Sequence, residues 1–262
     1  MKKVSLVVLS TLFTLLAFSQ VRISKLVVKP KEVYEFGSTD ILVLDTLIVM
    51  DSAKIILNKL KRENYIRAQI AIFGNGSIID GHGTSGKNGR NGKEGDTPFG
   101  PCQNGVNGKV GARGLDGTPG VNLFLYFENV SINGKLTINL SGGNGGNGGN
   151  GGNGGGGSPG TVQCPGGNGG NGGNAGYGGN GGDGGTIVFN CKLCPSSARL
   201  VKNNFNIFFE GGSFGYGGRG GDNGLAGLGV SRKTKSGMPG KFGVDGETGK
   251  SGNIGSLKFE EN

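Results

Sequence analysis

Apolar and β-branched residues between positions 21 and 79 come in short runs. Ile41–Leu44, Thr46–Met50, Lys54–Leu57 and Ile66–Phe73 are separated by small polar turns. No 3.6-residue apolar period persists over about eleven residues, so this region reads as strands. Beyond Gly81 the pattern changes. Short strand-like runs at Val121–Phe127, Leu136–Leu140, Thr186–Phe189, Phe205–Phe209 and Ser256–Phe259 alternate with tracts in which Gly returns at every third position.

The densest of these tracts spans 142–185 and reads mostly Gly-Gly-Asn, broken at Ser158–Pro165. A three-residue period belongs neither to a helix nor to a strand. It is the period of the polyproline-II-type backbone. Gly at every third residue leaves one face without side chains. A neighbouring backbone can then lie against it and pair its N–H and C=O groups. Strand, Gly arm, tip, Gly arm and strand recur three times, at 81–128, 135–190 and 205–260. The expected fold is therefore all-β plus polyglycine-II. A small β-solenoid-like base (20–80) would carry three Gly-rich hairpins that form a six-helix polyglycine-II bundle. The third and fourth arms, with two Gly per triplet, should be central, and the first, second and sixth peripheral. Strands at both ends of each excursion offset the entropy of ordering Gly.

The tracts 105–120 and 237–255 also fit a collagen-like Gly-X-Y reading, but collagen needs three chains and much Pro. Within them Pro119 and Pro239 are the prolines. Gly74–Gly83, reading GNGSIIDGHG, resembles a turn of right-handed parallel β-helices of the polygalacturonase type. That resemblance implies a coil shape. The acidic catalytic signature of that family does not follow downstream, so no activity is implied.

Composition narrows the class. Of 262 residues, 60 are Gly and none is Trp, outside ordinary globular composition. Lys2-Lys3, the apolar run Val4–Phe18 and Ser19 read as a secretory signal, residues 1–19, with cleavage after Ser19. No later run is long enough to span a membrane as a helix. The expected location is secreted or at the cell surface, outer-membrane-associated, in a Gram-negative bacterium. The net charge of +9 suits an anionic glycan or simple solubility. Export argues against nucleic acid.

Four cysteines in an exported chain suggest two disulfides. Cys102 lies in the first tip and Cys164 in the second, so adjacent arms would bring them together. Cys191 and Cys194 form a C-x-x-C at the base, read as a local structural disulfide. A redox pair or half a zinc site is the competing reading. His82, the one histidine, sits in a turn with no nucleophile indicated. Asp116, Asp183, Asp222, Asp245 and Glu247 fall on solvent-facing arm positions without a cleft. No catalytic residue, metal site or cofactor is expected. The third tip concentrates charge at Arg232, Lys233 and Lys235, which are the candidate ligand-binding residues for an anionic glycan.

On the Gly-x-x arms between Gly81 and Gly255 the chain resembles Gly-rich tip adhesins of tailed phages and snow flea antifreeze proteins. The resemblance implies a polyglycine-II architecture. It departs from the first group in its signal segment and from the second in its β-rich base. Long Lys, Arg, Glu and Leu side chains on the outer arms are unlike a flat ice-binding face. The functional expectation is a non-enzymatic exported adhesin or ligand-binding protein that presents tip loops on a rigid rod. Its partner would be a surface glycan or an envelope protein. The alternative is a structural subunit of an outer-membrane or envelope assembly.

Overall fold

Each turn of the chain lays one strand on each of two parallel sheets. The computed structural model describes residues 23–194, 196–230 and 234–260. The six-stranded sheet holds β1 (Ile23–Val28), β3 (Ile41–Val49), β5 (Glu63–Phe73), β7 (Asn122–Ile132), β9 (Thr186–Cys191) and β11 (Ser256–Phe259), in that order. The five-stranded sheet holds β10 (Phe205–Phe208), β8 (Leu136–Asn139), β6 (Ser77–Asp80), β4 (Lys54–Ile56) and β2 (Val33–Glu35). All pairings are parallel, and one α-helix, α1 (Ser197–Asn204), connects β9 to β10.

Parallel register stacks like residues on like. Ile55, Ile79, Ile138 and Ile207 form one row through the smaller sheet. Leu42, Ile66, Leu125 and Phe189 form a row through the larger one. The period-two alternation breaks at one level of β3, β5 and β7. Leu44 and Leu47, Ala68 and Ala71, Phe127 and Val130 are all buried although three residues apart. Two consecutive residues therefore face outward at each place, bending the long strands around a shared core. Phe73, Phe127, Phe189 and Phe205 meet edge to face along that core, with centroids 6.0, 6.2 and 5.5 Å apart. Full burial of each such side chain contributes about 1.5–3 kcal/mol.

Asn133-Gly134 turns a corner between the sheets, and does not close a hairpin, because β7 and β8 lie in different sheets. Gly134 has φ +93°, and a Cβ there would meet the Asn75 side chain.

The glycine excursions all leave from the same corner. The chain passes from the smaller sheet to the larger by a short turn at 57–62. At the same corner of the next three turns it instead runs out and back through 81–121, 140–185 and 209–255. The tracts of each excursion are numbered one to six in chain order.

The expected architecture is corrected here. The chain is strand-rich, with two parallel sheets and one α-helix among the described residues, and a six-helix polyglycine-II bundle is not seen. Nor is there a separate small base at 20–80. The flanking strands of every excursion join the same two sheets, which continue to Phe259. The glycine tracts carry no regular secondary structure, because their backbone N–H groups bond to neighbouring tracts. They form an extended lattice. The period of three survives as the period of those lateral bonds.

The lattice explains the Gly-Gly-Asn triplet position by position. In tract three, Gly145, Gly148 and Gly151 donate to the carbonyls of Ser213, Tyr216 and Arg219 in tract five. Gly146, Gly149 and Gly152 donate to Leu115, Ala112 and Lys109 in tract two. Asn147 and Asn150 face outward, and their N–H groups donate to Oδ1 of Asn88 and Asn91 in tract one, at 2.8 and 2.9 Å. Their own Oδ1 atoms accept from Tyr216 and Arg219, both at 2.9 Å. Each residue of the triplet thus has a partner for its N–H. Both glycines are required: a Cβ at Gly148 would overlap the Gly176 carbonyl, and one at Gly149 the Arg90 carbonyl.

Tract three donates to two, five and, through its Asn positions, one, and its carbonyls accept from tracts one and four. Tract four is placed equivalently, accepting from two and five and donating to three and six. Tracts one and two form one edge of the lattice, and five and six the other.

Candidate functional site

The far ends of the excursions form a tip face, and backbone contacts assemble it. Cys102 is disulfide-bonded to Cys164 across the first two tips. Beside this bond the Cys102 N–H donates to the Pro159 carbonyl at 2.8 Å, and Ser158 Oγ donates to the Pro98 carbonyl at 2.7 Å. Cys102 itself has φ +62°. The third tip is tied on by two bonds to the second. Gly160 N–H donates to the Leu228 carbonyl at 2.8 Å, and Gly166 N–H to the Lys235 carbonyl at 3.0 Å.

Of the candidate binding residues, Lys235 is exposed at this face. Arg232 and Lys233 lie outside the described residues. The face also carries apolar side chains that sequence reading passed over. Phe99 is 108% exposed and Val162 74%. Phe99 sits in Pro98-Phe99-Gly100-Pro101, and that setting was the available signal. An aromatic between prolines at a tip has little local structure to pack into.

The second disulfide, Cys191–Cys194, lies at the sheet stack just after β9. With all four cysteines bonded, C-x-x-C offers no thiolate for metal in this state. Among the described residues no group of three or more His, Cys, Asp or Glu side chains is placed to hold a metal ion.

His82 stands where tract one leaves β6. It pairs with Asp80, which also pairs with Lys54. Burial works to raise the Asp80 carboxyl, but the hydrogen bonds from Lys54 and His82 outweigh it and hold the group below its ordinary range. Lys59 Nζ lies 3.4 Å from His82 Nδ1. No serine or threonine hydroxyl or thiol is bonded to His82 among the described residues, so the cluster lacks a nucleophile.

The arm carboxylates serve the lattice. Asp116 accepts from Asn180 N–H at 2.7 Å and from Arg113 at 2.9 Å. Asp183 accepts from Asn253 N–H, and Asp245 from Gly220 N–H, both at 2.7 Å. Asp222 takes part through its backbone N–H, which donates to Asn153. Glu247 takes part through its carbonyl, which accepts from Gly178. They act as lattice acceptors or spacers, not as a facing catalytic pair.

A groove of about 1360 Å³ runs across the larger sheet, lined by Tyr65, Arg67, Tyr126, Glu128, Lys192 and Glu260 among others. Tyr65 donates to Glu63 at 2.6 Å, and that bond, with burial, pushes its phenol up to about 12. Burial first, and then Glu260, raises Tyr126. Both phenols stay protonated at neutral pH and cannot act as bases there.

No family model matches the chain, and no curated protein matches it. Among solved structures it is similar, at 21% identity, to the nine polyproline type II helical bundle springtail antifreeze protein from Granisotoma rainieri. The match covers 65% of this chain and 97% of that one, with a TM-score of 0.14. No helix among the described residues is long and apolar enough to cross a membrane.

Proposed function

We propose that this is a non-enzymatic exported protein that binds a surface ligand through its tip face. The sheet stack is the anchor, and the glycine lattice holds the tips at a fixed distance from it. One observation supports this reading above others. The ladder of lateral bonds runs unbroken in register from Gly142 and Gly185, beside the sheets, to Gly157 and Gly166, beside the tips. A lattice pinned at the sheets and stapled at Cys102–Cys164 presents loops with little entropy left to lose on binding.

The test is a glycan array probed with the full chain and with a variant carrying R232Q, K233Q and K235Q. Binding lost in the variant supports an anionic ligand at the third tip. Binding lost in Phe99→Ala instead moves the site to the first tip. Hydrolysis of an arrayed glycan, or binding unaffected by both variants, overturns the reading.

A second reading, a structural subunit of an envelope assembly, draws on the sheet edge. β11 has no outer neighbour among the described residues, and an open parallel edge is a template for pairing. Co-purification from native envelopes that depends on β11 would favour it.

A further inference from the structure

The two edges of the glycine lattice differ in charge, and the first has the layout of a second ligand site. Backbone bonds pair the outward positions of tracts one and two across this edge. Thr118 donates to Thr84, Leu115 to Lys87, Ala112 to Arg90, Lys109 to Lys93 and Val106 to Asp96. The Thr84 and Thr118 hydroxyls are 3.0 Å apart, so the side chains of such pairs lie together on the strip. Lys87, Arg90 and Lys93 therefore form a row, with Leu115, Ala112 and Lys109 beside it. All six are exposed. Among the described residues no ion pair engages Lys87, Arg90, Lys93 or Lys109, whereas Arg113, on the adjoining face, is held by Asp116.

The row does not stop at the sheets. Asn122 N–H donates to the Arg62 carbonyl at 2.7 Å, and Lys59 contacts His82 at the root of tract one. The exposed turn Lys59, Lys61, Arg62 is thus continuous with the edge. At about 3.1 Å per residue, the tract row repeats its cations roughly every 9 Å. On the opposite edge the outward positions of tract six are Pro239, Phe242, Asp245, Thr248, Ser251 and Ile254. The cations of tracts five and six, Arg219, Lys241 and Lys250, stand at positions bonded to tracts three and four.

We infer that the edge of tracts one and two, from Lys59 to Lys93, binds a linear anionic polysaccharide laid along the tract. A regular polyanion matches a regular row of unpaired cations held by a stiff backbone. The flat Leu115–Ala112 strip gives sugar rings an apolar surface to rest on. Long unpaired cations in one line attract polyanions over about a Debye length, and the attraction weakens with salt. This site is independent of the tips and of Arg232, Lys233 and Lys235.

The experiment measures binding of the full chain to fluorescent polygalacturonate across a salt series, with single-stranded poly-dT and polyglutamate as competitors. The variant K87Q/R90Q/K93Q alters side chains that make no lattice bond, so its melting temperature serves as the fold check. The expected result is saturable binding that weakens with salt. In the variant the logarithmic salt slope falls by about two to three. A tip variant, K235Q, should leave both affinity and slope unchanged. No binding at low salt, an unchanged slope in the edge variant, or equal competition by poly-dT or polyglutamate would overturn the inference.

Discussion

The sheet stack and the glycine lattice are both backbone ladders, yet opposite side-chain rules hold them together. In the stack, rows such as Leu42–Ile66–Leu125–Phe189 fill the space between sheets, and cohesion comes from buried apolar surface. In the lattice, Gly146, Gly149 and Gly152 leave no space at all, and cohesion comes from backbone pairs that only absent side chains permit. One region therefore fails when atoms are removed, and the other when a single atom is added at a position such as Gly149. Tract four does hold Ala175 in the slot that Gly172 and Gly178 fill one triplet away, its N–H donating to the Val244 carbonyl.

The largest effect should come from that single atom. In Gly149→Ala the new Cβ overlaps the Arg90 carbonyl, and the obstacle is backbone rather than a side chain that could swing aside. We expect a loss of roughly 4 kcal/mol or more, or failure to accumulate folded protein, read by thermal or urea unfolding. Ala112, on the tract edge, is the internal contrast, because an alanine is tolerated there. A well-folded Gly149→Ala protein would break the comparison. Leu125→Ala tests the other side. It empties a fully buried position and should cost about 2–5 kcal/mol in the same assay.

Stapling should matter next, and unequally. Cys102 and Cys164 are 62 residues apart, Cys191 and Cys194 only 3. On loop entropy the first is worth about 4 kcal/mol and the second about 2. Cys102→Ser should lower Tm more than Cys191→Ser, and should raise amide exchange in tips one and two before it does so in the sheets.

Much of this contrast was legible in the residues and part was not. The three-residue period located every tract, and the β-branched runs located the strands that flank them. Gly density ranked the tracts, since only tracts three and four bear glycine at both inward positions over most of their length. The architecture was read wrongly because periodicity describes a segment and not its partners. A tract whose bonds all go sideways, and strands from separate repeats that join the same two sheets, leave no mark at any one position. The helix α1 was missed for a simpler reason: eight residues after a C-x-x-C carry too little periodicity to stand out. At the tips, charge drew attention to Arg232, Lys233 and Lys235, while Phe99 was passed over because exposure cannot be read from one aromatic.

Where the two regions meet, pH offers a smaller test. Asp80 ends β6 and is held below the ordinary carboxyl range by Lys54 and His82 despite its burial. A group whose folded pKa is depressed contributes stability above its unfolded value and loses it as pH falls through the folded one. Stability should therefore decline on acidification below the ordinary carboxyl range. Asp80→Asn should flatten that part of the curve, measured as urea midpoint against pH. An acid limb identical in both proteins would remove Asp80 from the junction's account.

The smallest effect is the most discriminating for the lattice. Asn150→Ala keeps every backbone donor and acceptor of tract three and removes only the Oδ1 that accepts from Arg219 N–H at 2.9 Å. Because this bond lies on an exposed face, water can take its place, and the loss should be about 0.5–1.5 kcal/mol. The neighbouring Gly149 is one residue away, donates to the Ala112 carbonyl and accepts from the Gly176 N–H, and its substitution should cost several times more. If the two losses were equal, side-chain ladders rather than close backbone approach would be holding the tracts together. If Asn150→Ala cost nothing while Gly149→Ala abolished folding, the outer asparagines would serve only to keep the faces wet and the lattice from growing.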